Sequence, residues 1–239
     1  MRNIRPQLFL LFFTASFFVV IFSSCLTSAK MDRYVSSQYN DQLPKRDKKM
    51  KADIVVNSTL HSDPDIISMT KQKTSKVVPL IVYWSMDWRH TCTLNPAIPV
   101  TAFANTINGL ATKGLAQKLN GQRLELTVEQ VPNAFAIVDK SHMIWLIYAI
   151  SWDKIYVEPD FKDLVVSYKL TGADSVAKSG RITVKSNAEN KGIRFFQSWK
   201  SATSEHLTDY NSNLTLMTRS FVNKLMEELQ SSAPVTSSN

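Results

Sequence analysis

Arg2 and Arg5 precede an apolar run from Leu8 to Phe22, broken only by Thr14 and Ser16, that closes on Ser23, Ser24 and Cys25. A charged start, an apolar middle and a small-residue exit are the three parts of a secretory signal. A membrane-spanning helix needs about 20 apolar residues. This run has 15, with Pro6 before it and two serines after it. Residues 1–24 are therefore read as a signal peptide that takes no part in the fold, and the elements are sought beyond it.

Charge follows the same division. The chain carries +8 in total. Removing Arg2 and Arg5, with no acid beside them, leaves +6. Residues 26–51 hold seven basic side chains (Lys30, Arg33, Lys45, Arg46, Lys48, Lys49, Lys51) against Asp32, Asp41 and Asp47, so the chain from Ala52 onward is only +2. The high isoelectric point is thus no nucleic-acid footprint, and no nucleic-acid partner is expected. Six Gly and four His speak against glycine-rich phosphate loops and His-rich metal sites, and two Cys cannot build a disulfide framework.

Two small residues before a Cys that closes an apolar segment resemble the lipobox of bacterial lipoproteins. Phe22 stands where that family usually has Leu or another aliphatic residue, a departure that resembles Bacteroidota-like lipoproteins. The resemblance implies that Cys25 becomes the acylated mature N-terminus, carrying thioether-linked diacylglycerol and an amide-linked chain. At about 0.8 kcal/mol per buried methylene, such an anchor holds far more firmly than a single acyl chain. Residues 25–51 then read as the lipidated Cys and a basic flexible tether spanning roughly 30 Å, its cations drawn to anionic head groups or merely keeping it soluble.

Residues 52–232 read as one α+β domain and 233–239 as a disordered tail. Asp53–Val56 is an edge-strand candidate, and residues 57–76 have the texture of a connection. Val77–Trp84 is a strand interrupted by Pro79, which cannot donate to a ladder. After Asn95-Pro96, apolar residues Phe103, Ile107, Leu110, Leu115 and Leu119 recur at helical steps. Leu124, Leu126 and Val128 alternate with polar residues, as in a strand with one wet face. His142–Ile150 is apolar on both parities and reads as a central strand, or as one whose outer face meets a partner. Leu164–Leu170 and Arg181–Lys185 follow as strands. A helix carries Leu207, Tyr210, Leu214, Met217, Phe221, Leu225 and Leu229 on one stripe. The expected architecture is an antiparallel sheet of about five strands with two helices on one face. With the Cys and tether in front, this order resembles small periplasmic lipoproteins that serve as auxiliary subunits of envelope machines, including ABC-type lipid transport systems.

Reactive side chains concentrate in Trp84–Cys92, where Cys92, His90 and Asp87 would be a nucleophile, a base and its orienting acid. No oxyanion-hole sequence accompanies them, so the preferred reading is structural, with Trp84 and Trp88 packed and Arg89 paired to an acid. Cys92 is expected to be a buried, inert thiol, with an intermolecular disulfide as the second reading. The acids Asp153, Glu158, Asp160 and Asp163 lack the pattern of a calcium loop. No metal and no cofactor is expected. Among the aromatic residues of the second half, Trp152, Tyr156 and Trp199 fall near strand ends and are the candidate binding residues.

These readings converge on a non-enzymatic lipoprotein anchored to the outer membrane, on its periplasmic face, that binds another envelope protein as an accessory or assembly subunit. A lipid- or hydrophobic-ligand-binding lipoprotein is the alternative, and an enzyme using residues 84–92 is third.

Overall fold

The computed structural model describes residues 26–46, 53–62, 64–79, 82–110, 113–119, 121–145, 148–172 and 176–230. The leader, Cys25 and the tail from 231 lie outside the described residues.

The fold is α+β, with four helices and two sheets among these residues. In chain order they are α1 (Ser28–Gln38), β1 (Ile54–Ser58), β2 (Ile67–Val78), β3 (Tyr83–Leu94), α2 (Ala97–Leu110), α3 (Lys113–Leu119), β4 (Arg123–Gln130), β5 (Ala134–Trp145), β6 (Ala149–Pro159), β7 (Leu164–Thr171), β8 (Val176–Val184), β9 (Lys191–Gly192) and α4 (Trp199–Gln230). One sheet runs β1-β4-β7-β8 and the other β2-β3-β5-β6-β9. The second is antiparallel throughout, whereas β1 lies parallel to β4 at the edge of the first. A single sheet was expected. The second arises because the stretch read as a connection, residues 57–76, contains most of β2.

The four-stranded sheet has one dry face. Ile54 pairs with Leu124 and Leu124 with Leu170, while Val56 pairs with Leu126 and Leu126 with Tyr168; all six are buried. Its other face carries Glu125, Thr127, Glu129, Ser167 and Arg181, with Glu129 bridged to Arg181 at 2.8 Å. On β4, alternation puts Leu124, Leu126 and Val128 on the core side.

Helix α4 covers this core with Leu214, Met217, Phe221 and Leu225, all buried, and packs on α2 and β8. Phe221 meets Phe103 of α2 edge-on at 5.5 Å. Tyr210 donates from its hydroxyl to the Pro132 carbonyl at 2.8 Å, which resolves the one polar atom on that stripe. Tyr168 reaches from the sheet to the far end of the helix and donates to Glu228 at 2.6 Å.

That bond pins the Tyr168 ring over Gly180, its partner on β8. A Cβ built on Gly180 would lie 2.7 Å from the ring edge and its hydroxyl. Because the ring is buried and held at its tip, it has nowhere to retreat, and Gly180→Ala should cost about 1–3 kcal/mol in urea unfolding. A melting temperature unchanged from wild type would show that the ring is not fixed there.

Residues 26–46 depart most from expectation, because they are not a tether. Thr27 caps α1 by accepting a hydrogen bond from the Lys30 amide at 3.3 Å. Met31 and Val35, one turn apart, are fully buried in the main core. After the helix, Asn105 donates to the Lys45 carbonyl at 3.1 Å and Arg46 to the Val56 carbonyl at 2.7 Å, holding the chain onto the domain. Lysines and serines lower the mean hydropathy of this segment, and that average hides a two-residue apolar stripe.

Two further strand readings are corrected by one cause. Val77–Trp84 is the tip of the β2–β3 hairpin, with Val82 at φ 43° and its amide bonded to the Pro79 carbonyl. His142–Ile150 is the tip of the β5–β6 hairpin, where Trp145 pairs with Ala149. A run that is apolar on both parities gives no sign of where the chain reverses. The readings at β1, β4, β7 and α4 agree with the structure; the 103–119 helix is described as α2 and α3.

Candidate functional site

Sheet β2-β3-β5-β6 is longer than the helices that cover it. The row Lys71–His90–Ile137–Val157 crosses the four strands at the edge of the packed core. Beyond it, β2 from Thr70 to Val77 and β6 from Ala149 to Ile155 are exposed on both parities. Seven residues separate His90 from Tyr83, so the strands project roughly 20 Å as a four-stranded arm.

The arm is held by ring stacking and ion pairs. On its outer face Tyr83, His142 and Trp152 stack in sequence, at 6.2 and 5.3 Å between centroids, and the Tyr83 hydroxyl hydrogen-bonds His142 Nδ1 at 2.8 Å. Lower on the same face, Ala136, Val138 and Tyr156 form a small buried cluster. Arg89 donates two bonds to Glu158, at 2.7 and 3.0 Å. That fork, foreseen only as Arg89 with an acid, holds the Glu158 carboxyl below its usual range, the hydrogen bond outweighing partial burial. At the tips, Val77, Val82, Trp84, Trp145, Tyr148 and Ile150 expose between 40% and 79% of their surface.

Where the inner face of the arm meets the domain lies a cleft of about 1320 Å³. Trp88, Ile137 and Ile155 form its floor. Leu26 and Tyr34 of the N-terminal segment line it together with Ile193 and Trp199. Tyr34 and Trp199 meet edge to face at 5.6 Å. Lys30, Arg33, Lys71 and Lys200 are the cations among its lining residues, and Asp139 is the one carboxylate. The Lys71 ammonium stands 4.3 Å from the Trp88 ring centroid. Asp139 sits between Trp88 and Ile155 in the sheet register, and burial, with Asp153 nearby, raises its pKa.

The candidate binding residues therefore do not form one site. Trp199 lines the cleft. Trp152 is exposed on the opposite face of the sheet, in the ring stack, and Tyr156 is buried there, between Lys140 and Lys154 at 5.8 and 5.7 Å. Parity explains the split: Trp152 and Tyr156 share a face of β6, while Ile155, between them in number, points into the cleft. Cys25 lies outside the described residues.

The Trp84–Cys92 cluster spans nearly the whole of β3. His90 and Cys92 share its inner face, but Cys92 is fully buried and burial pushes its thiol up to about 12, so it is not a thiolate at neutral pH. His90 has its pKa lowered by burial and by Lys71, and its Nδ1 is 3.3 Å from the Ser28 hydroxyl of α1. Asp87 lies on the other face. Of the acids, Glu158 pairs with Arg89, Asp160 accepts from the Asn133 and Lys162 amides, and Asp163 accepts from the Ser186 amide. Among the described residues no group of three His, Cys, Asp or Glu side chains is placed to hold a metal ion.

The cleft wall contributed by Leu26–Tyr34 escaped the sequence reading because that segment was assigned to a tether. Thr27 followed by Met31 and Val35 at helical spacing was the available signal. The arm left a weaker one: Thr, Lys, Gln and Ser fill β2 from Thr70 to Lys76 without an apolar residue, since neither face is covered.

These parts define an α+β domain bearing an amphipathic cleft and a projecting hairpin arm. No protein-family model matches the chain, and no curated protein or solved structure matches it.

Proposed function

We propose that this chain is a lipid-anchored lipoprotein of the bacterial envelope, acting as a non-enzymatic accessory subunit that binds another envelope protein through the arm. The observation that carries this reading is the arm tip. Six apolar side chains from two adjacent hairpins stand in water at the end of a stiff extension, and contiguous exposed apolar surface of that kind is the mark of an interaction site. Tyr148, at 79% exposure, is the most open of these six.

The anchor enters through the sequence: a signal-type leader closing on Ser23-Ser24-Cys25. If Cys25 is acylated, only Leu26 and Thr27 separate it from α1, which is bound into the core. The domain then sits close against the bilayer instead of ranging on a long leash. Its partner is accordingly a membrane-embedded or membrane-apposed protein.

Two measurements test this. Intact mass of the protein recovered from its own cells should give a chain beginning at an acylated Cys25. A photo-crosslinking residue at position 148 should capture one discrete protein, and Trp145→Glu should lower that yield at least tenfold, whereas a crosslinker at Lys169, on the wet face of the other sheet, should not capture it. An unacylated chain with a different start sinks the anchor. The same capture pattern from positions 148 and 169 sinks the arm as the interface.

A further inference from the structure

We infer that the cleft is a binding site for an anionic amphiphile: an acyl chain ending in a carboxylate or phosphate. This goes beyond the partner reading and does not depend on it, since the cleft is built from the domain's own side chains.

The floor sets the tail. Trp88, Ile137 and Ile155 present a ring and two branched aliphatic side chains on one strand-to-strand row and its neighbour. Leu26 and Ile193 add apolar side chains to the lining. Binding pockets for small molecules have volumes of roughly 300–1,000 Å³ and are mainly apolar with a few placed polar groups. At about 1320 Å³ this cleft has room for a long flexible chain.

The rim sets the head. Four cations and one carboxylate line the cleft, and low-dielectric walls focus the field of such charges. Asp139 lies beside Trp88 and Ile155 on the floor, where burial and the nearby Asp153 raise its pKa. Two planar guanidinium nitrogens on Arg33 and the ammonium groups of Lys30, Lys71 and Lys200 suit carboxylate and phosphate oxygens alike. A soluble anion with no tail would leave the floor wet.

The test uses the full chain in phosphatidylcholine nanodiscs and a diazirine-bearing palmitate, with diazirine-bearing hexadecanol as the uncharged control. Photo-adducts of the palmitate probe should map to Trp88, Ile155 and Trp199, at least tenfold above those of the alcohol. Arg33→Glu with Lys200→Glu should cut palmitate labelling at least tenfold and leave alcohol labelling unchanged. Ile155→Trp, which fills the floor at an exposed position, should cut it with the melting temperature preserved. Competition by unlabelled palmitate or by lysophosphatidylglycerol tells which head the site prefers. Equal labelling by acid and alcohol, adducts confined to the arm tips, or labelling indifferent to Ile155→Trp would each overturn the inference. None of these readouts involves the crosslinked protein or the mass of the N-terminus, so either reading can fail alone.

Discussion

Met31→Asp should strip α1 from the domain and lower unfolding free energy by about 4 kcal/mol. Met31 is fully buried in the main core together with Val35. Removing its side chain alone costs about 2–5 kcal/mol, and a carboxylate at that position must either be buried unpaired or swing out. It will swing out and take the helix with it, because an isolated helix of 11 residues is unstable in water. Urea unfolding gives the free energy, and hydrogen exchange across residues 28–38 reports the undocking. Unchanged stability, with those amides exchanging at the free-peptide rate in both proteins, would return the segment to a loose linker. The experiment also bears on the cleft, since Leu26 and Tyr34 depart with the helix. Palmitate labelling should fall even though Arg33 and Lys30 keep their charges.

Acidification from pH 7 to pH 4 should remove about 3 kcal/mol of stability through His206 alone. The imidazole is 8% exposed, packed 4.7 Å from the Phe135 ring, and burial holds its pKa down to about 4 against an ordinary 6.5. Asp209 nearby pulls the value up and Lys191 pushes it down, both less than burial does. The sign follows from proton counting. Between 6.5 and 4 the unfolded chain binds a proton that the native chain refuses, so unfolding gains as pH falls. Above 6.5 the native state keeps its full stability, and below about 4 the loss levels off. One pKa unit is 1.36 kcal/mol, which over this interval gives the figure stated. In His206→Phe the slope of stability between pH 7 and pH 4 should be shallower than in wild type by that amount. Parallel curves for the two proteins would place the acid sensitivity elsewhere, His90 being the next candidate because burial and Lys71 lower its pKa too.

Most of the α+β class was legible wherever one face of an element is dry and the other wet. Leu124-Leu126-Val128 and the stripe from Leu207 to Leu229 show a period because burial is one-sided, and the structure has β4 and α4 there. The same logic explains the misses. The arm is wet on both faces along β2, which erases alternation. Its tips are apolar on both parities, which hides the reversals at Pro79–Val82 and Trp145–Ala149. The tether reading failed through averaging, since two buried residues among eleven barely move a segment's mean hydropathy. Of the three candidate binding residues only Trp199 reaches the cleft, because a strand's parity assigns Trp152 and Tyr156 to one face and Ile155 to the other.

Local pattern alone determined the one-sided elements, the charge distribution and the expectation of an inert Cys92, because each depends on neighbours within a turn or a strand. Tertiary structure decided the division into two sheets, the docking of α1 and the meeting of Tyr34, Trp88, Ile155 and Trp199 around one space. Those residues are spread over more than 160 positions. Burial rewards such contacts only after the chain has closed its loops, so no local period records them.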